Sequence, residues 1–541
     1  MKKILLSLLL FSAHFMGNAQ TWQDTLTLIE KMAERYPPAG PGCQLGISRN
    51  GQVVFSRAWG MADLEHNIPL SNSSVIEAGS VSKQFTAAAI LLLEQQGKLS
   101  VNDDVRKYVP EVPDYGTPIL LRQMMMHTSG LKDWGSVMDI AGWPRSTKTY
   151  SNDDALLIIS RQKTLNHTPG AEYIYSNSNY NLFAIIVERV SGMSLAEFTR
   201  IHLFEPAGMK HTEWRNNFKK IVPNRAIAYE KSGDTYLTDM PNEYVYGNGG
   251  LLTTVEDLLK WNDYYLNGKF GNPSLLPKQL TTYPFNNGQM NPYGAGLVVN
   301  SVRGWKSIAH TGATASYRAS LEYFPELGLS IAWLSNSSEF DGSPNIANDV
   351  RNLLVKNRIV ADKKSDPSPF NVSKEKLTSY TGWYKEIRNG SGLRLFVQDG
   401  KLTSSTGGNL IPVAENAFML RNNRIEIHSG KPAKIAMITP QDTVLFVAAE
   451  TANLDEKAMN DYVGEYWSDE AEAKFSVRIK EGKLIVYRAP KTEYPLTPTY
   501  KDGFLSPAGI IYFERDKKAR VNTLKFSVGR ARNVEFKKIT P

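Results

Sequence analysis

The C-terminal third of this chain carries the same pattern twice. Tyr380-Thr381-Gly382-Trp383-Tyr384 recurs as Tyr462-Val463-Gly464-Glu465-Tyr466, and Asp399-Gly400-Lys401-Leu402 recurs as Glu481-Gly482-Lys483-Leu484. Both pairs are offset by 82 residues, so the spacing inside each unit is preserved as well. A duplicated segment must fold twice in one way, and its alternating apolar positions broken by Gly or Asn turns read as strands. Each unit is too short for a sandwich with a large core. We therefore expect two small antiparallel, all-β, barrel-like repeats, at residues 371–455 and 456–541.

The stretch 361–370, ADKKSDPSPF, is polar, carries Pro367 and Pro369, and reads as a linker after a helical stretch from Pro344 to Lys356. Residues 20–360 mix both hydrophobic periods. Cys43 to Ser48 and Val53 to Ala58 flank Asn50-Gly51, a hairpin signal; Arg318 to Phe324 and Leu329 to Leu334 flank Pro325-Glu326-Leu327-Gly328, a second one. Between them lie helices at Val81 to Gln96, Tyr180 to Ser191 and Val255 to Leu266, the last opening with a capping box at Thr254 and Asp257. Strands at both ends with helices between them imply an α+β domain, an antiparallel sheet built from the chain ends and flanked by helices.

Composition narrows the function classes. Of 541 residues, 42% are apolar and 21% charged, which is globular. The single cysteine excludes an intramolecular disulfide framework and any Cys-rich metal site; placed at the start of an apolar strand, Cys43 reads as a buried small residue. No internal apolar run reaches the roughly 18 residues of a membrane span. Residues 371–541 hold 27 basic and 20 acidic side chains, so nearly all of the net +8 belongs to the C-terminal part. No basic run or nucleic-acid motif accompanies it. At the other end Lys2 and Lys3, the apolar stretch Ile4 to Phe15 and Gly17-Asn18-Ala19 form a signal peptide, residues 1–19, whose cleavage leaves Gln20 first. The mature chain is expected to be exported, periplasmic or secreted.

Ser80-Val81-Ser82-Lys83 is the first chemical element. On a helix, positions three apart share a face, so the Lys83 stem can return to the Ser80 hydroxyl, and a helix N-terminus favours a developing oxyanion. The pattern Ser-x-x-Lys occurs four times, from Ser80, Ser129, Ser160 and Ser373, but only Ser80 opens a long Ala- and Leu-rich helix. Tyr175-Ser176-Asn177 is the second element: a tyrosine there can relay a proton and the asparagine amide can hold a substrate carbonyl. The third is His310-Thr311-Gly312 before the second hairpin, where the glycine lets a substrate backbone approach an edge strand. Similar triplets stand at Lys231-Ser232-Gly233, read as a hairpin turn, and at His428-Ser429-Gly430. No Gly-x-Ser-x-Gly elbow or His-Glu-x-x-His helix is present, and the eight histidines lack metal-ligand spacing. His127 is read as the support of a loop rather than as a base.

Taken together with their flanks, these motifs resemble the serine β-lactamase and penicillin-binding-protein superfamily, in the branch of class C β-lactamases, DD-carboxypeptidases, D-aminopeptidases and esterases. The resemblance spans about residues 25–355 and includes FTAAAILLLEQQGKLSVNDDVRKYVPE, MMMHTSGL, PGAEYIYSNSNYNLFAIIVERVSGMSL, FEPAGM and GNGGLLTTVEDLLKW. It implies an acylated nucleophile at Ser80, a proton acceptor at Lys83, a second base at Tyr175, substrate orientation by Asn177, and an oxyanion hole from the N–H groups of Ser80 and Ala313. Lys83, Tyr175 and His310 are then expected to titrate as a coupled set. His310 departs from the related pattern with Lys-Thr-Gly; a neutral imidazole offers no fixed charge to the carboxylate of a β-lactam, which favours peptidase or esterase action. Thr311, Gly312 and Ala313 complete the expected substrate and oxyanion group.

The expectation is a serine hydrolase working through an acyl-enzyme at Ser80, a D-stereospecific peptidase of the DD-carboxypeptidase or D-aminopeptidase type. Its substrate is a small peptide, amide or ester, with peptidoglycan a candidate source; neither a cofactor nor a metal is expected. Alternatives are a broad-specificity esterase or weak β-lactamase, and a non-catalytic protein that binds β-lactams or the cell wall.

Overall fold

The computed structural model describes residues 22–266, 268–269, 273–342, 345–358, 370–439 and 442–539. The signal peptide expected at 1–19, and all of the expected linker except Phe370, lie outside them. No helix among the described residues is long and apolar enough to cross a membrane. The chain divides into two compact units, one drawn from residues 1–92, 193–280 and 296–361, the other from 93–192, 281–295 and 362–541.

The first unit is built on a six-stranded antiparallel sheet in the order Val298–Val302, Trp305–Thr314, Tyr317–Phe324, Leu329–Ser335, Cys43–Arg49, Gln52–Trp59. Both expected hairpins are present. Asn50 and Gly51 take φ of 49° and 80°, the left-handed pair that a two-residue turn between right-twisted strands requires. Joining the two ends of the chain places Leu329–Ser335 beside Cys43–Arg49 in the middle of the sheet, and every residue of Leu329–Ser335 is buried. Such a strand needs cover on both faces. Ile29, Tyr36, Ile346 and Val350 pack with Cys43, Leu45, Ile331 and Trp333 in one core. Val255–Trp261 packs against the same central strand; a side chain at Gly46 would come within 2.9 Å of Leu259, so the small residue sets the helix-to-sheet distance.

Three local expectations need correction. The helix expected from Val81 begins as a 3-10 turn, Gly79–Ser82, and becomes α-helical over Lys83–Gln95. That expected over Val255 to Leu266 is α-helical to Trp261 and continues as a π-helical turn, Asn262–Leu266. Thr254 does cap it by accepting from Asp257 N. The Asp257 carboxylate, however, turns to His211 N, Thr212 and Lys260 instead of closing the box.

In the second unit the helix Asn177–Ser191 is buried from Asn177 through Val187, the signature of a central helix. It starts three residues earlier than the apolar period indicates because its first turn is polar and satisfied internally. Ser129 Oγ donates to Asn179 Oδ1 at 2.7 Å, Trp134 Nε1 to Asn181 Oδ1 at 2.8 Å, and Ser178 Oγ to Lys132 O at 2.7 Å.

The duplication is visible atom by atom. Short helices Lys374–Ser379 and Glu456–Asn460, a departure from the expected all-strand repeats, are capped by Ser373 and Asp455. Gly382 and Gly464 follow at φ of 142° and 149°. The Tyr384 hydroxyl donates to Tyr380 O at 2.9 Å, as the Tyr466 hydroxyl does to Tyr462 O at 2.7 Å. The repeats form eight- and nine-stranded antiparallel sheets. The first nearly closes on itself: its edge strand Lys401–Ser404 meets the approach to the opposite edge through Leu410 N donating to Leu402 O at 2.8 Å. In the second, the outer strands Thr492–Pro495 and Thr497–Pro498 are consecutive in the chain, so one segment bounds both edges. Near-closure removes most of the exposed edge that a small sheet would otherwise present. The α+β part with helices around an antiparallel sheet, followed by two barrel-like β repeats, is as the sequence indicates.

Candidate active site

In the first unit the Ser80 turn and the His310 strand meet backbone to backbone. A Cβ on Gly79, which has φ of 49°, would lie 2.7 Å from Ala313 N, and one on Gly312 would lie 2.0 Å from Ala78 O. Neither position tolerates a side chain, so the two glycines allow the close approach. Lys83 is fully buried; its Nζ donates to Ser80 Oγ at 3.1 Å and to the carbonyl of Asn248. The spacing of three therefore does what the sequence suggests, although through a 3-10 turn entering a helix. Ser82, the other hydroxyl of the motif, is turned away, donating to Gly79 O at 2.5 Å and accepting from Leu251 N at 3.1 Å. Glu77, just ahead of the turn, is held in a buried ion pair with Arg215 at 2.7 Å.

His310 is buried, and its Nδ1 lies 2.6 Å from Thr311 O. A carbonyl can only accept, so the proton sits on Nδ1 and Nε2 is left as acceptor. Burial, reinforced by the Lys83 charge, pushes the imidazole down to about 4. It is neutral at pH 7, as expected from its place in the motif. Thr311 and Ala313 are exposed on this strand and Gly312 is buried between them.

In the second unit Tyr175 precedes the buried helix and Asn177 begins it. Asn177 N donates to Asp133 Oδ2 at 2.7 Å, and the same carboxylate caps the helix Trp134–Ala141 through Ser136 N at 3.0 Å. His127 is fully buried, accepts from Ser176 N at 3.1 Å through Nδ1, and lies 4.1 Å from the Tyr175 ring. It supports the loop that carries Tyr175, the role the sequence assigns it. A guanidinium from the second β repeat, that of Arg530, lies 4.7 Å over the same tyrosine ring.

The family model described as Beta-lactamase matches residues 29–356. The chain belongs to the Beta-lactamase family. It is a serine hydrolase of that family. Among relatives it is 26% identical to the D-aminopeptidase of Brucella melitensis biotype 2 over 92% of this chain and 96% of that protein. It is 25% identical to Penicillin-binding protein 4* of Bacillus subtilis strain 168 over 77% of this chain and 96% of that protein. Its fold is shared with the penicillin-binding protein homologue from Pyrococcus abyssi, at a TM-score of 0.53 and 22% identity over 88% of this chain and 99% of that one.

Sequence reasoning did not single out Asn248, Asp133 or Arg530. Asn248 contributes a carbonyl, which side-chain identity does not announce, and its only signal is the glycine-rich run Gly247-Asn248-Gly249-Gly250. Asp133 and Arg530 acquire meaning through partners far away in the chain, so no local pattern marks them.

Proposed function

We propose that the chain is an exported D-stereospecific peptidase, of the DD-carboxypeptidase or D-aminopeptidase type, acting on cell-wall-like peptides. The observation that carries the reading is the buried Lys83 ammonium 3.1 Å from the Ser80 hydroxyl. In its deprotonated form that amine can take the proton as Ser80 attacks. Attack on the amide carbonyl forms the acyl-enzyme, with the N–H groups of Ser80 and Ala313 receiving the oxyanion and Thr311 and Gly312 lining the substrate strand. Tyr175 returns a proton to the leaving amine, and Asn177 holds the substrate amide. His310, neutral and fixed in one tautomer, presents an acceptor. Water then releases the acyl group. In this reading residues 1–19 direct export, 20–360 form the catalytic part, 361–370 a linker, and 371–455 and 456–541 the two β repeats. The similarity to a D-aminopeptidase and a penicillin-binding protein supports the substrate class.

The test is intact-mass and turnover measurement with a penicillin, D-alanyl peptides, D-alanyl amides and nitrophenyl esters. A Ser80-linked adduct and D-selective amide turnover, both lost in Ser80→Ala, are expected. Turnover persisting in Ser80→Ala overturns the mechanism, and equal turnover of L-peptides overturns the substrate class.

A further inference from the structure

The second β repeat contributes a cation beside Tyr175 on an anchored peptide. Arg530 lies in the turn between Val521–Val528 and Ala531–Lys538. Its carbonyl accepts from Asp133 N at 3.0 Å and from Asn166 Nδ2 at 3.0 Å, while Arg532 N donates to Asn166 Oδ1 at 2.7 Å. Ala531 between them is fully buried. The backbone is thus held on both sides of Ala531, directly after Arg530, and the Arg530 side chain is left exposed with its guanidinium 4.7 Å over the Tyr175 ring.

Carboxylates near this peptide are already engaged. Asp133 accepts from Asn177 N and Ser136 N, and Glu172 pairs with Arg532 at 2.8 Å and Arg388 at 2.9 Å. Among the described residues Arg530 has no carboxylate partner, in contrast with Arg532 two positions on. A fixed, exposed guanidinium fits an anion of planar, bidentate shape. His310, where the Lys-Thr-Gly pattern has a permanent cation, is neutral.

We propose that Arg530 reads the terminal carboxylate of the substrate, so that the enzyme prefers peptides ending in a free acid over their amides and removes C-terminal residues. This rests on the reading of Tyr175 and Ser80 given under Proposed function. It assigns specificity, not chemistry, to the β repeat.

The test compares kcat/KM for N-acetyl-D-alanyl-D-alanine and its C-terminal amide, using the full chain and its Arg530→Gln, Arg530→Lys and Arg530→Glu variants. The wild type is expected to favour the acid. Arg530→Gln should lower the acid-to-amide ratio roughly ten- to a hundredfold, the range of a charged hydrogen bond. Arg530→Lys should recover part of the ratio, and Arg530→Glu should push it below that of Gln. If acid and amide fall in parallel, with the ratio within twofold of wild type, Arg530 acts only on Tyr175 and the proposal is overturned. A wild type that cleaves the amide but not the acid also overturns it, while leaving the D-peptidase reading intact. A wild type that cleaves neither overturns the D-peptidase reading, and the role of Arg530 falls with it.

Discussion

His310 resists protonation through a pH range in which an ordinary imidazole charges. Its folded value is about 4 against an ordinary 6.5, so between these limits the unfolded chain binds the extra proton. Its contribution to stability is therefore complete above about pH 6.5 and is lost progressively as pH falls towards 4. At pH 5 the loss from this one group is about 2 kcal/mol. Denaturant unfolding of the wild type and of His310→Gln at pH 7.5 and 5 measures it: the wild type should lose about that much more stability on acidification. Identical pH dependence in the two proteins would show that burial does not hold His310 neutral. The five candidate residues were legible because they sit on three local patterns: Ser80 and Lys83 one helical turn apart, Tyr175 and Asn177 at a helix start, His310 ahead of a hairpin. The carbonyl of Asn248 on Lys83 was not, since the backbone supplies it.

Elements far apart in the chain are joined by a buried ion pair within the second unit. Lys132 Nζ meets Glu470 Oε1 at 2.7 Å, with side chains 0% and 2% exposed. Burial pulls the Lys132 ammonium down and the Glu470 carboxylate opposes that pull. Glu470 also accepts from Lys163 N at 2.8 Å and Glu535 N at 3.1 Å. Lys132 in turn holds the segment that carries Tyr175 and Asn177, because its carbonyl receives Ser178 Oγ and its neighbour Asp133 receives Asn177 N. Removing one partner leaves an uncompensated buried charge, so Glu470→Leu should cost about 3–5 kcal/mol. The pair Lys132→Met with Glu470→Leu should recover part of that, but not all, since the two backbone N–H groups still lack their acceptor. Equal losses in the single and double variants, measured by urea unfolding, would show that the charge pairing does not matter. Hairpins, the Thr254 cap and the duplicated Tyr-x-Gly-x-Tyr were readable because turns and caps are local chemistry. The π-helical turn after Trp261 and the 3-10 entry at Ser80 were not, because the side-chain period continues smoothly through both.

At the level of the whole molecule, the two β repeats share one compact unit with residues 93–192, which carry Tyr175 and Asn177. The linear order of a catalytic part followed by repeats can be read from composition, yet the compact units interleave, with residues 93–192 grouped with 362–541. Contacts that span more than 300 residues leave no periodic trace in a sequence. A chain ending at Arg358 would lack Glu470 opposite Lys132 and the Arg530 carbonyl that receives Asp133 N. We expect it to be insoluble, or to unfold without cooperativity, and to lose ester hydrolysis. A soluble truncated protein with wild-type ester turnover would show the repeats to be dispensable for the fold. The same ion pair also has a timetable. At about 5–20 residues per second, a ribosome makes Glu470 roughly 20–70 s after Lys132. Through that interval the lysine has no partner to make its burial favourable, and the segment carrying Tyr175 and Asn177 lacks its final support. The support of that segment is thereby postponed until Glu470 has been translated.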